Sequence, residues 1–214
     1  RQLVLEAIAH GKHIVTANKA LIALHGDEVF KAAAAKGVSV RYEASVAGGI
    51  PIVKAIREGL AGNHIEWLAG IINGTSNFIL SEMALPGSSR SFDEVLKEAQ
   101  KLGYAEADPT FDVEGIDAAH KLTILASLAF GIPLNFPAIY TEGITKITST
   151  DIQLAHELGY RIRHLGLARN LGESVELRVH PTLVPESQML AQVNGVMNAV
   201  MVGSDAAGPT LYYG

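Results

Sequence analysis

The chain has 214 residues, no cysteine and a formal charge of −5, from 17 basic and 22 acidic side chains. This length leaves enough chain for a buried core, and 48% hydrophobic with 18% charged residues is typical of a globular protein. The lack of cysteine excludes disulfide frameworks, thiolate metal sites and cysteine nucleophiles. The acidic balance argues against a nucleic-acid partner, and the apolar stretches are too short for a membrane span.

Both ends of the sequence look cut. The chain begins with Arg1 inside a helical pattern, and it stops at Gly214 without a polar tail. We therefore expect a piece of a longer protein.

The first 44 residues predict a helix–strand–helix–strand unit. Helical spacing at residues 3–9 is followed by a strand at 13–18, an alanine-rich helix at 19–36 and a strand at 38–44. This order is typical of the rear part of a Rossmann-like parallel sheet. The phosphate-binding turn G-x-G-x-x-G is missing, because no two of the 21 glycines stand two positions apart.

From residue 45 onward the pattern predicts a second, α+β domain. A glycine turn leads into a helix that begins at Pro51, and Ser91 with Glu94 forms a capping box. The predicted helices are residues 51–59, 75–83, 92–102, 115–130 and 151–158, and the predicted strands are 64–72, 160–169, 175–181 and 199–203. The fold class is thus α/β and α+β, with domains at 1–44 and 45–214.

The segment of residues 99–121 is rich in carboxylates and ends in a lysine. Asp117 and Lys121 lie four residues apart, on one face of a helix. One interpretation is an ordinary surface ion pair. The other is a site, because the helix beyond Lys121 is apolar and a buried lysine with a lowered pKa suits proton donation to a carbonyl oxygen.

The same segment carries a set of residues at fixed spacing, namely Ala99, Gly103, Tyr104, Ala105, Asp108, Pro109, Asp112, Val113, Gly115, Asp117 and Lys121. This set resembles the signature of the homoserine dehydrogenase family. Four further motifs of the family follow the expected order, at residues 16–19, 43–51, 73–79 and 208–214. The resemblance covers essentially the whole chain, and it implies that residues 45–214 form a catalytic, substrate-binding and dimerisation domain.

The resemblance implies an enzyme that interconverts L-aspartate 4-semialdehyde and L-homoserine with NADP or NAD, in threonine, isoleucine and methionine biosynthesis. It implies that Lys121 is the acid/base and that Lys19 assists near the reacting oxygen and the nicotinamide. The remaining implied contacts are Glu106, Asp117, Thr75 and Asp112 to the substrate, and Asn18, Lys19 and Gly103 to the cofactor. A surface lysine at 19, a capping glycine at 103 and a plain Asx turn at 73–77 stay open as alternatives.

The resemblance also implies a sodium ion at the glycine turn. Its ligands would be Glu43 and main-chain oxygens of Val46, Gly48 and Ile50, since oxygen ligands fit a hard cation. A plain structural turn is the alternative. The eight histidines lack metal-ligand spacing and are expected to be satisfied or solvent-facing, with His120 on another side of its helix than Lys121.

The resemblance further implies a cytoplasmic homodimer or homotetramer that acts on a small molecule. A catalytically incompetent fragment, serving only substrate binding and dimerisation, is the alternative function. An acylating aldehyde dehydrogenase is disfavoured because that chemistry needs a thiolate.

Overall fold

The computed structural model describes every residue from Arg1 to Gly214, in eight α-helices and eight strands. The helices are α1 Gln2–Ala9, α2 Lys19–Lys36, α3 Ile52–Lys54, α4 Gly74–Met83, α5 Phe92–Lys101, α6 Thr110–Val113, α7 Ile116–Phe130 and α8 Ser149–Glu157. The strands are β1 Ile14–Val15, β2 Val40–Arg41, β3 Ile65–Ile71, β4 Tyr140–Thr141, β5 Tyr160–Asn170, β6 Val175–Pro185, β7 Ala199–Ser204 and β8 Gly208–Tyr213.

The N-terminal unit is a parallel pair of strands joined by a helix, as predicted. β1 pairs with β2 in parallel, and α2 connects them. The side chain of Asn18 accepts a hydrogen bond from Leu21 N–H and begins α2, while Gly37 ends it in the left-handed conformation. Each strand has two residues and is shorter than predicted, because the chain turns into a 3₁₀ turn at Glu43–Ser45 directly after β2.

The second sheet has six strands in the order β4-β6-β5-β3-β7-β8. All its pairs are antiparallel except β4 with β6. β5 and β6 pair along their full eleven residues, which extends β6 four residues beyond the predicted strand. β4 and β8 are additional to the predicted strands. The predicted fold class is confirmed.

The helix α7 lies on one face of this sheet and forms the centre of the main core. Its residues Leu122 and Leu125 are fully buried, together with Leu68 of β3 and Val200 of β7. The opposite face packs against the segment that contains Leu190 and Val193. α7 is therefore fixed from the sheet side, and α2 covers it from the other.

Two predicted elements differ in the structure. The helix predicted at residues 51–59 is one α-turn, α3, followed by a π-turn at Ala55–Gly59. The carboxylate-rich loop before α7 contains the short helix α6, which begins after Pro109. No helix is long and apolar enough to cross a membrane.

Candidate active site

The N-terminus of α7 positions the two residues that the sequence singled out. Gly115 adopts a left-handed conformation, with φ of 82°, directly before the helix. Asp117 therefore lies in the first turn, where the helix dipole favours a carboxylate, and Lys121 follows one turn later on the same face.

A single buried carboxylate holds two lysines. Asp117 Oδ2 accepts a hydrogen bond from Lys121 Nζ at 2.7 Å, and Asp117 Oδ1 lies 3.1 Å from Lys19 Nζ. The Asp117 side chain is 4% exposed, against 17% for Lys121 and 32% for Lys19. An ordinary surface pair is thus excluded for Asp117 and Lys121. We call these three residues the lysine–aspartate cluster.

Asn73 ties this cluster to the start of α4. Its side-chain oxygen accepts a hydrogen bond from Ser76 N–H, which caps the helix. Its Nδ2 donates to Asp112 Oδ1 and to Asp117 Oδ2, each at 2.8 Å. The Asx turn expected as an alternative is present, and the same side chain also bridges two carboxylates. The signal in the sequence is an asparagine directly after a buried strand.

The two carboxylates have opposite shifts in pKa. Burial alone would raise the pKa of Asp117, but Lys121, Asn73 and Lys19 outweigh it and hold this pKa below its usual value. The pKa of Asp112 is raised, because burial and the negative Asp117 outweigh the hydrogen bond from Asn73. Closely placed acids with pKa values pushed apart are typical of catalytic sites.

A cleft of about 350 Å³ opens beside the lysine–aspartate cluster. Thr75 lies in its wall, and the Thr75 hydroxyl donates to the carbonyl of Tyr104 at 2.7 Å. The lining residues are Asn73, Gly74, Thr75, Gly103, Tyr104, Asp112, Asp117, Lys121 and Val196. The cleft thus combines a lysine, two carboxylates and a tyrosine.

Most of the predicted substrate and catalytic residues come together here. The cleft is lined by Lys121, Asp117, Asp112 and Thr75. It is also lined by Gly103, which lies two residues after the end of α5 and has a φ of 79°. Glu106 is exposed, does not line the cleft, and has a side chain without a hydrogen bond or an ion pair. Its assignment to the substrate stays a prediction, as do the roles of the other residues.

Two of the residues predicted to bind the cofactor, Asn18 and Lys19, lie at or beside the lysine–aspartate cluster. Asn18 and Lys19 follow β1 and begin α2, which is the end of a parallel strand where such folds bind dinucleotides. Lys19 Nζ also lies 5.6 Å from the centre of the Phe111 ring. Lys19 is therefore joined to Asp117 rather than free on the surface.

In the turn predicted to bind sodium, some of the expected ligand oxygens accept protein hydrogen bonds and others accept none. The Glu43 carboxylate accepts hydrogen bonds from Val53 N–H at 2.8 Å and Lys54 N–H at 3.0 Å, which caps α3. No protein donor contacts the main-chain oxygens of Val46 and Gly48. Neither these residues nor any others form a cluster of three acidic or histidine side chains around a metal site. Two carbonyl oxygens and one shared carboxylate can fit a weakly held hard cation.

The turn itself is unusual in its backbone. Ala47 and Gly48 are both left-handed, with φ of 59° and 55°, and Ala47 is the one non-glycine residue of the chain with positive φ. The carbonyl oxygen of Ile50, the last predicted ligand, accepts a hydrogen bond from Ile52 N–H at 2.8 Å. The turn is therefore constrained, as a structural turn or an ion site would both require.

His120 departs from the sequence expectation. His120 is buried against Phe111 and Phe136, and its Nδ1 has no hydrogen-bond partner. Burial lowers its pKa, against the attraction of Asp117. The expectation of a satisfied or solvent-facing histidine is wrong here, because aromatic packing replaces the missing polar partner.

The parallel strand–helix unit beside a cleft with a lysine–aspartate cluster gives the chain the architecture of an α/β protein with a Rossmann-like unit and a second, α+β domain. The family model for homoserine dehydrogenase matches residues 51–214, and that for the homoserine dehydrogenase NAD binding domain matches residues 1–43. The chain belongs to the homoserine dehydrogenase family.

Known relatives agree with this assignment. The chain is 70% identical over 213 residues to homoserine dehydrogenase of Pseudomonas aeruginosa and 64% identical to that of Neisseria gonorrhoeae. The match covers 100% of the chain and 49% of either relative. The chain therefore spans about half the length of these relatives.

Solved structures give the same result. A homoserine dehydrogenase from Thiobacillus denitrificans superposes with a TM-score of 0.97 at 67% identity, over 100% of this chain and 49% of that one. A hyperthermophilic archaeal homoserine dehydrogenase in complex with NADPH superposes with a TM-score of 0.85 at 28% identity, over 100% of this chain and 61% of that one.

Proposed function

We propose that the chain acts within a longer NAD(P)-dependent homoserine dehydrogenase, which interconverts L-aspartate 4-semialdehyde and L-homoserine. The supporting observation is the lysine–aspartate cluster at the edge of the cleft, where Lys121 and Asp117 are 2.7 Å apart. Residues 1–44 belong to the cofactor domain in this proposal, and residues 45–214 to the domain for catalysis, substrate and dimer formation. The cofactor is NADP or NAD.

Lys121 holds the proton that the reaction needs. An ammonium group has three N–H donors, and Lys121 Nζ uses two of them, to Asp117 Oδ2 and to the carbonyl of Ile72 at 2.8 Å. The third donates to the aldehyde oxygen of the substrate. A nicotinamide cofactor, when bound, supplies a hydride to the carbonyl carbon, and transfer of the Lys121 proton to the oxygen completes the alcohol.

Lys19 and Asp117 keep that proton in place. Asp117 fixes the direction of the Lys121 ammonium, because its carboxylate binds both lysines at once. Lys19 adds a positive charge near the oxygen on which negative charge develops. It stands beside Asn18 at the end of β1, and both residues contact the nicotinamide side of the cofactor in this proposal.

Asp112 is the carboxylate best suited to the ammonium group of the substrate. It lines the cleft and accepts one hydrogen bond, from Asn73, whereas Asp117 already binds two lysines. A carboxylate with spare acceptor sites fits a three-donor cation. Thr75 and Gly103 shape the same wall, and Glu106 is a further acceptor in this proposal.

Steady-state kinetics of the full-length protein test the role of Lys121. We expect Lys121→Met to lower kcat for homoserine oxidation by about 10²–10⁴, the usual contribution of general acid–base catalysis. Lys146→Met is the matched control, because Lys146 is exposed and has no ion pair. Turnover by Lys121→Met at the wild-type rate would overturn the mechanism. A wild-type protein inactive with homoserine and either cofactor would overturn the function.

We also propose a sodium ion at the turn of Glu43, Val46, Gly48 and Ile50. The support is the pair of main-chain oxygens, at Val46 and Gly48, that no protein donor contacts. Sodium chloride is expected to raise the melting temperature more than choline chloride of equal ionic strength. Equal effects of the two salts would contradict the site.

The proposed enzyme is a cytoplasmic homodimer or homotetramer. Support for assembly comes from apolar side chains left exposed at the C-terminal end of α8 and on β6, where Leu158 is 72% and Leu183 is 54% exposed. These leucines line one groove of about 410 Å³. Analytical ultracentrifugation of the wild type and of Leu158→Glu tests the proposal, and a wild-type monomer would contradict it.

A further inference from the structure

Arg163 is a fully buried cation without a carboxylate partner. The residue lies on β5 and is 1% exposed. Its Nη1 donates to Asn77 Oδ1 at 3.3 Å and Ser81 Oγ at 3.0 Å, and its Nη2 donates to the Ala191 carbonyl and Asn194 Oδ1, each at 2.6 Å. All four acceptors are neutral. A buried charge is costly unless it is fully hydrogen-bonded, so this arrangement requires a reason.

The four acceptors belong to two different parts of the chain. Asn77 and Ser81 are on α4, while Ala191 and Asn194 are on the segment before β7. Arg163 therefore joins α4 to that segment. Residues 191–197 are called the wall loop below, because Val196 lines the cleft.

Asn77 extends the same junction. Its Nδ2 lies 3.2, 3.0 and 3.2 Å from the carbonyl oxygens of Val193, Gly195 and Met197, so its two N–H groups serve three acceptors and one N–H is shared. The Asn77 nitrogen faces these carbonyls only when the side-chain oxygen points away from them. The hydrogen bond from Arg163 to that oxygen fixes this orientation of the amide. Arg163 thus holds the wall loop directly and through Asn77.

The junction sets the distance between the wall loop and the cleft end of α4. A Cβ atom at Gly74 would lie 2.7 Å from the Val196 carbonyl oxygen, so the two backbones are in close contact. Gly74 and Thr75 begin α4 and line the cleft together with Lys121. A shift of the wall loop therefore changes the width of the cleft.

We propose that Arg163 is a positioning residue, which holds the wall loop against α4 and so fixes the substrate wall of the cleft formed by Gly74, Thr75 and Val196. This inference rests on the proposed function for its kinetic consequence. Arg163 contacts neither the lysine–aspartate cluster nor the cleft, so it acts through the residues it holds.

The kinetic test compares two arginines of the same strand in the full-length protein. Arg161 lies two residues before Arg163 and pairs with Glu186 at 3.2 Å, a residue that belongs neither to α4 nor to the wall loop. We expect Arg163→Met to raise KM for homoserine about tenfold or more, since small displacements of binding groups are costly, with KM for NADP within twofold. Arg161→Met keeps both values within twofold, and Arg163→Lys lies between the wild type and Arg163→Met.

A second variant and a second readout separate positioning from folding and from the proposed function. Ser81→Ala removes an oxygen that accepts hydrogen bonds from both Arg163 and Gly195 N–H, and it is expected to raise KM for homoserine in the same direction. Hydrogen exchange is expected to speed up in residues 191–197 of Arg163→Lys and Ser81→Ala, but not in α7. This readout does not depend on activity.

Three results would overturn the proposal. One is KM for homoserine within twofold of the wild type in both Arg163→Lys and Ser81→Ala. Another is a rise in both KM values by the same factor, which indicates general loosening. The third is unchanged exchange in the wall loop. If the wild type has no dehydrogenase activity, the proposed function fails, and hydrogen exchange alone decides whether Arg163 positions the loop.

Discussion

Asp117 stabilises the fold and the candidate active site with the same carboxylate. It is buried at the start of α7 and compensates the charges of Lys19 and Lys121, which would otherwise face each other with no anion between them. Removal of one partner from a buried ion pair leaves an uncompensated charge, which costs more than the pair itself contributes.

Asp117→Asn is therefore expected to lower the free energy of unfolding by about 2–3 kcal/mol at pH 7. This is less than the usual cost of breaking a fully buried ion pair, because Lys19 is partly exposed. The exposed Asp27 of α2, which has no ion pair, provides Asp27→Asn as the control. Urea unfolding monitored by circular dichroism measures both. Equal losses in the two variants would contradict the shared role of Asp117.

This stability difference depends on pH in a defined direction. The pKa of Asp117 is lowered in the folded protein, so its contribution is fully present above the unfolded pKa, about 3.9, and is lost as pH falls through the folded pKa. The difference between wild type and Asp117→Asn should shrink as the pH is lowered below about 4.

The contribution of Asp112 to stability changes with pH in the opposite direction. Burial raises its pKa, so its favourable contribution is present below the unfolded pKa and disappears as pH rises through the folded value. In its ionised form Asp112 is therefore a destabilising group, of the kind that functional sites retain.

We accordingly expect Asp112→Asn to unfold at equal or slightly higher urea concentration than the wild type at pH 7. KM for homoserine should rise about tenfold or more, as loss of a charge-assisted hydrogen bond of about 1.5–3 kcal/mol implies. The amide oxygen can still accept the hydrogen bond from Asn73. A variant that is less stable and binds homoserine normally would show that Asp112 is structural.

At the scale of elements, the two ends of α7 are formed by left-handed glycines in different surroundings. A Cβ at Gly115 would lie 3.1 Å from His164 Cε1 and 3.2 Å from Thr141 Cγ2, whereas one at Gly131 would have no atom within 4 Å. The N-terminus of α7, which carries Asp117 and Lys121, is therefore packed against β4 and β5, while its C-terminus is open.

Alanine substitution at these two positions separates backbone strain from packing. Gly131→Ala should cost about 1 kcal/mol, since φ of 66° disfavours a residue with a Cβ. Gly115→Ala adds steric conflict at φ of 82° and should cost about 3 kcal/mol. Thermal and urea unfolding measure the difference, and equal costs would mean that His164 and Thr141 move away freely.

Local signals in the sequence predict most elements but not their surroundings. The capping box of Ser91 with Glu94 and the apolar run after Lys121 each depend on residues within one or two turns, and both features are present. The position of Arg163 depends on α4 and the wall loop, which lie far from it in sequence. A strand pattern gives no indication of such partners.

At the scale of the whole molecule, the same distinction explains which sheet features were predictable. Parallel pairing of β1 with β2 follows from the intervening helix α2, because parallel strands need a crossover connection. The order β4-β6-β5-β3-β7-β8 depends on contacts between distant segments, and β4 has two residues. At the site, Glu106 is exposed, and the contact with the substrate that its motif position predicts stays a prediction.

The arrangement of the whole chain also predicts the affinity of the isolated 214-residue chain for the cofactor. The parallel sheet of residues 1–44 has two strands of two residues, and the 214 residues contain no G-x-G turn. Such a turn, at a helix N-terminus, provides much of the affinity for the phosphates of a dinucleotide. In the proposed function, Asn18 and Lys19 contact only the nicotinamide end of the cofactor and not its phosphates.

We therefore expect the 214-residue chain to bind NADPH weakly or not at all in a fluorescence titration, with the full-length protein as the positive control. Micromolar binding by the 214-residue chain would show that the residues around the lysine–aspartate cluster supply most of the affinity.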